Sequence, residues 1–70
     1  MELKDIQVRL RECIINSGIP QKEIARLIGV SPQTVSKYMK HDIFPALDTL
    51  AKLCSVLDVT SDYILGLKNY

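Results

Sequence analysis

Gln21-Lys22-Glu23-Ile24-Ala25-Arg26-Leu27-Ile28-Gly29-Val30-Ser31-Pro32-Gln33-Thr34-Val35-Ser36-Lys37-Tyr38 is the stretch whose reading decides the fold. Ile24, Ala25, Leu27 and Ile28 recur at helical spacing, with Glu23 in the first turn, where it favours the helix dipole. Gly29 supplies the left-handed residue that closes such a helix. Ser31 then offers an oxygen to cap a second helix, and Pro32 at its first position gives up an amide that has no intrahelical partner in any case. Two helices that cross steeply through a three- or four-residue turn need a small residue where they touch and a glycine where the chain bends. Ala25 and Gly29 are those residues. Ile24, Ile28, Val30, Val35 and Tyr38 then form the apolar seam, which leaves Gln33, Thr34, Ser36, Lys37 and Lys40 directed away from the core.

Outward from this stretch the pattern stays helical. In Glu2 to Ser17, the residues Leu3, Ile6, Leu10, Cys13 and Ile14 form one apolar stripe, and Gly18 ends it. Helix three is expected to run from Pro32 to about Lys40. After Pro45, the stripe Leu47, Leu50, Ala51, Cys54 and Leu57 predicts a fourth helix, with Asp48 in its first turn. Thr60 suits an N-cap, and Tyr63, Ile64 and Leu67 predict a short fifth helix ending near Gly66 or Leu67. No stretch alternates apolar and polar residues between turn signals, so strands are not expected. The expected architecture is all-α, five short helices around one core, in a single domain over residues 1–70.

Seventy residues allow one core and leave no length for a second folding unit. Hydrophobic residues make up 47% and charged residues 24%, an ordinary globular balance, and no uninterrupted apolar run exceeds three residues, too short to span a bilayer. Nothing at the N-terminus resembles a secretory signal, which makes the cytoplasm the expected location. Cys13 and Cys54 fall at apolar positions and read as buried free thiols rather than a disulfide. The net charge is only +1, but Lys22, Arg26, Lys37 and Lys40 face Glu23 alone between residues 21 and 41, a local excess of +3. Positive charge is concentrated on the stretch that also carries the outward-facing amides and hydroxyls.

These residues resemble the lambda-repressor-like, or XRE, helix-turn-helix family, the DNA-binding domain of phage repressors, Cro proteins and many bacterial regulators. Beyond Gln21 to Tyr38 the resemblance takes in Gly18-Ile19-Pro20, the Pro45-Ala46-Leu47-Asp48-Thr49-Leu50 start of helix four, and Leu57-Asp58-Val59-Thr60-Ser61-Asp62-Tyr63-Ile64-Leu65-Gly66. It implies a compact five-helix DNA-binding domain whose helix-turn-helix lies at helices two and three. Helix three is then the recognition helix in the major groove, while helix two crosses the backbone. The expected partner is double-stranded DNA, a palindromic operator bound by a homodimer.

Roles follow from side-chain chemistry on that implied frame. The Gln33 amide can pair bidentately with adenine and is the first choice for direct readout. Thr34 suits a thymine methyl or a phosphate, Lys37 a guanine or a phosphate, and Pro32 only an apolar contact with a base edge. Gln21, with the amides at the start of helix two, suits one phosphate; Ser31, Ser36, Lys40 and His41 complete the candidate contacts. Taken singly, each is a polar residue of the kind that exposed helix faces ordinarily carry, and Lys22 and Arg26 are explained equally well by solubility or i to i+4 pairing.

Three positions depart from the family pattern. Pro20 stands where a capping Ser or Thr is common, so helix two is expected to start frayed or shifted. Ile14 and Met39 stand where the family frequently carries Arg and Glu. An apolar pair in place of what looks like a buried ion pair is often neutral or stabilising, which predicts that Ile14 and Met39 touch. His41 replaces a common Gly, and the Ile43-Phe44 that follows either tucks into the core or joins a subunit contact, for which Tyr63, Leu67 and Tyr70 are also candidates.

Catalysis is not expected. A single His, no cluster of Cys and His ligands, no Gly-rich phosphate loop and no paired carboxylates leave no active site, metal site or cofactor site to assemble. The leading expectation is a sequence-specific transcriptional regulator, a repressor by occlusion. Alternatives on the same fold are an antitoxin that also holds a protein toxin, and an adaptor that uses the five helices for protein contacts.

Overall fold

The computed structural model describes residues 2–40 and 43–68 and shows five α-helices in the order α1 (Leu3–Asn16), α2 (Gln21–Ile28), α3 (Pro32–Lys40), α4 (Leu47–Leu57) and α5 (Ser61–Ile64). Among these residues there is no strand. Helix α1 starts with the Asp5 carboxylate accepting the Glu2 amide at 3.0 Å, which satisfies a donor just outside the helix. Its end is stitched by Ser17, whose hydroxyl donates to the Ile14 carbonyl at 2.7 Å and accepts the Ile19 amide at 3.1 Å. The chain then turns at Gly18, where φ is 70°.

The core is one cluster: Leu10, Cys13 and Ile14 from α1, Ile24, Ala25 and Ile28 from α2, Val35, Tyr38 and Met39 from α3, Leu53 and Leu57 from α4, and Ile64 from α5. Helix α2 packs on α3 and α4, α1 on α3 and α5, and α4 on α5, so the first helix closes the bundle against the last. Ile14 and Met39 both lie in this cluster, on the two packed helices α1 and α3. Burial raises the pKa of the Cys13 thiol, with the neighbouring Cys54 adding to it, and burial likewise raises that of Cys54.

Helix α4 is rotated from its expected setting. Leu53 is fully buried and Leu57 nearly so, whereas Leu47 is 84% exposed and Ala51 is also exposed. At about 100° per residue, Leu50, Leu53 and Leu57 share an arc of about 60°, while Leu47 lies about 90° and Ala51 about 130° from its middle. Either apolar arc satisfies the helical period; contact with α2 and α5 selects the one that holds Leu53 and Leu57. Leu3 is similarly exposed, at the first turn of α1.

Helix α5 ends at Ile64 rather than near Gly66 or Leu67. The Leu67 and Lys68 amides both return to the Asp62 carbonyl, at 2.8 and 3.2 Å, through Gly66 at φ 78°, so the chain folds back instead of extending the helix. The expected cap is present, with Thr60 Oγ1 accepting the Tyr63 amide at 3.1 Å. The Ile43-Phe44 pair divides: Ile43 is exposed, and Phe44 is half-buried beside an apolar cleft of about 260 Å³ that Leu3, Leu50 and Ile64 also line.

Asp58, at the C-cap of α4, is the one non-glycine residue with positive φ among those described, at 56°. A side chain costs energy in this left-handed region, although Asp tolerates it better than most residues. Asp58→Gly is therefore expected to stabilise the domain by about 0.5–1 kcal/mol in urea denaturation. A loss of stability instead would show that the carboxylate contributes more than the backbone strain removes.

Candidate nucleic-acid interface

The turn between α2 and α3 is three residues, Gly29 to Ser31. Gly29 has φ 78°, and a β-carbon there would meet nothing within 4 Å, so glycine is required by the bend itself and not by crowding. The close approach is made by Ala25, which is 1% exposed and whose carbonyl accepts both the Gly29 and Val30 amides, at 2.9 and 3.0 Å. Ser31 caps α3, its hydroxyl accepting the Thr34 amide at 3.2 Å.

This bend buries one side of α3 and exposes the other. Val35, Tyr38 and Met39 face the core, while Pro32, Gln33, Lys37 and Lys40 are exposed and Thr34 and Ser36 are half-buried. Gln33, Lys37 and Lys40 stand at i, i+4 and i+7, on one face of the helix. The described protein covers none of these exposed side chains. His41 lies outside the described residues, as does Tyr70 among the subunit-contact candidates.

Helix α2 begins at Gln21, neither shifted nor shortened by Pro20. The Pro20 carbonyl still accepts the Glu23 and Ile24 amides, at 2.9 and 3.0 Å, which starts the helical ladder without a side-chain cap. Ahead of that ladder the Gln21 and Lys22 amides meet no side-chain cap, so they remain suited to an anion beside the half-buried Gln21. A carboxylate in the same turn would oppose that anion. Glu23 is instead bound bidentately by Arg26, at 2.5 and 2.9 Å, and that hydrogen-bonded guanidinium holds the Glu23 carboxyl below its usual pKa. Arg26 is thereby occupied, and Lys22, Lys37 and Lys40 carry the uncancelled positive charge of the segment.

A family model described as helix-turn-helix matches residues 10–64. The chain belongs to the helix-turn-helix family. Within this helix-turn-helix chain, α2, the turn and α3 form the element after which the family is called. The chain is 35% identical over 57 residues to the SPbeta prophage-derived uncharacterized HTH-type transcriptional regulator YonR of Bacillus subtilis, an alignment covering 81% of this chain and 53% of that protein. It is 36% identical over 58 residues to the HTH-type transcriptional regulator ImmR of the same organism, covering 83% of this chain and 46% of that protein. The helix-turn-helix chain thus spans about half the length of the curated relatives it matches. No solved structure gives a significant match.

Several features escaped the sequence. Arg9 donates to the Tyr63 carbonyl at 3.0 Å and lies over the Tyr63 ring, 4.7 Å from its centre. Tyr63, a candidate subunit contact, is therefore engaged first by its own chain, whereas Leu67 is 71% exposed. No spacing rule pairs residues 54 apart, so this clasp has no local signal. The bond between the Ser31 and Thr34 hydroxyls, 2.9 Å, does have one, since a capping Ser and a Thr three residues on share a helix face. Among the described residues, no three His, Cys, Asp or Glu side chains gather as a metal site, and no helix is long and apolar enough to cross a membrane.

Proposed function

We propose that this chain is a sequence-specific double-stranded DNA-binding transcriptional regulator, a cytoplasmic repressor that acts by occluding its operator. The observation that carries the reading is the uncovered, basic and amide-bearing face of α3, held outward by the Gly29 bend and capped at Ser31. In this arrangement α3 enters the major groove, Gln33 reads a base edge, and Thr34, Lys37 and Pro32 meet neighbouring bases or phosphates. Gln21 and the first amides of α2 take a phosphate, with Ser31, Ser36, Lys40 and His41 as further contacts. The names of the two relatives, both HTH-type transcriptional regulators, support the same reading.

One such module covers little DNA, so tight binding calls for two copies on a palindrome, with half-site centres about 34–36 Å apart. The function proposed is binding and requires no catalytic group or cofactor. An adaptor would not need cations clustered on an uncovered helix face, and for that reason DNA is preferred over a protein as the principal partner.

Selection of bound sequences from random duplexes tests the proposal. The protein is expected to enrich a palindrome, and Gln33→Ala to relax one base pair in each half-site by about 1–3 kcal/mol, or about 5- to 150-fold in discrimination. Lys22, Lys37 and Lys40 from two subunits supply up to six phosphate contacts, which predicts a slope of log affinity against log salt of up to about −5. Failure to enrich any sequence would remove the proposal, and affinity for a copurifying protein that hardly changes with salt would favour the adaptor.

A further inference from the structure

Ser31 does two things at the start of α3. Its hydroxyl accepts the Thr34 amide, and it lies 2.9 Å from Thr34 Oγ1 in a second hydrogen bond. A helical threonine ordinarily divides between two χ1 rotamers, because its hydroxyl can turn back to a carbonyl one turn earlier. Here Thr34 Oγ1 is committed to a side-chain oxygen instead. Since Oγ1 and the methyl are bonded to the same tetrahedral carbon, fixing one fixes the other.

We propose that Ser31 is a positioning residue which sets the base preference of Thr34, by holding that side chain in a single rotamer before DNA arrives. The inference rests on α3 being the recognition helix and deepens that reading. Its ligand is the major-groove edge of one base pair, where a methyl held in place discriminates thymine by contact and a freely turning one does not. Two hydroxyls hold two protons, and one lies between the oxygens, so the pair offers one outward O–H donor rather than two. Pre-setting the rotamer also means that its ordering cost is met on folding instead of on binding.

The test compares wild type, Ser31→Gly, Ser31→Thr, Thr34→Ala and the double variant Ser31→Gly/Thr34→Ala by selection from random duplexes, with thermal denaturation alongside. Glycine is tolerated at an N-cap, so Ser31→Gly is expected to stay folded, and alanine removes both the methyl and the hydroxyl that anchors it. Ser31→Gly and Thr34→Ala are expected to relax the same base pair of each half-site, about five- to tenfold, and the double variant no further than Thr34→Ala. Ser31→Thr, which restores the hydroxyl, is expected to keep the preference. Equal weakening on every duplex, or relaxation at two different base pairs, would overturn the inference and leave Ser31 a cap or phosphate contact. A wild-type protein that enriches no sequence would instead fail at the parent reading and take this inference with it. Unchanged selection by Ser31→Gly beside normal wild-type enrichment would sink the inference alone.

Discussion

Ile14→Arg is expected to abolish most of the folded population, at a cost of about 3–5 kcal/mol. The side chain is 2% exposed and sits among the buried residues of α1 and α3, so an arginine there brings a guanidinium into the core without a carboxylate to receive it. No buried polar or charged residue is present among those described to act as a partner. Seventy folded residues hold only about 3.5–10 kcal/mol in total, so the loss is comparable to the whole. Circular dichroism through a urea or thermal melt measures it. Met39→Glu alone is expected to destabilise in the same way. The pair Ile14→Arg/Met39→Glu is expected to recover about 1–3 kcal/mol relative to the sum of the single changes, because the two charges would then meet. Additive losses would show that residues 14 and 39 do not touch, and a harmless Ile14→Arg would refute the compensation argument outright.

The second large effect decides the rotation of α4. Leu53→Ala is expected to cost about 2–5 kcal/mol, since Leu53 is fully buried between α4 and its neighbours and the cavity left behind relaxes only in part. Ala51→Ser and Leu47→Ala are expected to stay within about 0.5 kcal/mol, both sites being exposed. The order would be reversed if the arc through Leu47 and Ala51 faced the core. Equilibrium urea denaturation of the three variants, with the slope of the transition checked for constancy, distinguishes the two orientations.

Legibility from sequence followed the range of the forces involved. The joint between α2 and α3 is legible to the residue, because Gly29, Ser31 and Pro32 act within one turn of their own positions. Pro20 was expected to disturb the start of α2 and did not, because its carbonyl begins the ladder even though its side chain cannot cap. The outward face of α3 followed from period alone: once Val35 and Tyr38 are assigned to the seam, Gln33, Lys37 and Lys40 fall opposite. The pairing of Arg26 with Glu23, at i+3, is not among the readings the sequence offers for Arg26, since that spacing permits the pair and does not compel it.

What the amino-acid order determined by itself was therefore local: where each helix begins and bends, which side of the α2–α3 element is apolar, and where positive charge gathers. Tertiary structure alone decided the choice between two apolar arcs on α4, the half-burial of Phe44 beside an exposed Ile43, and the clasp of Arg9 on Tyr63. The physical reason is that caps and turns are settled by hydrogen bonds a few residues apart. An arc of leucines satisfies its own helix in either setting, and only the shape of the neighbouring helices makes one of them the inside.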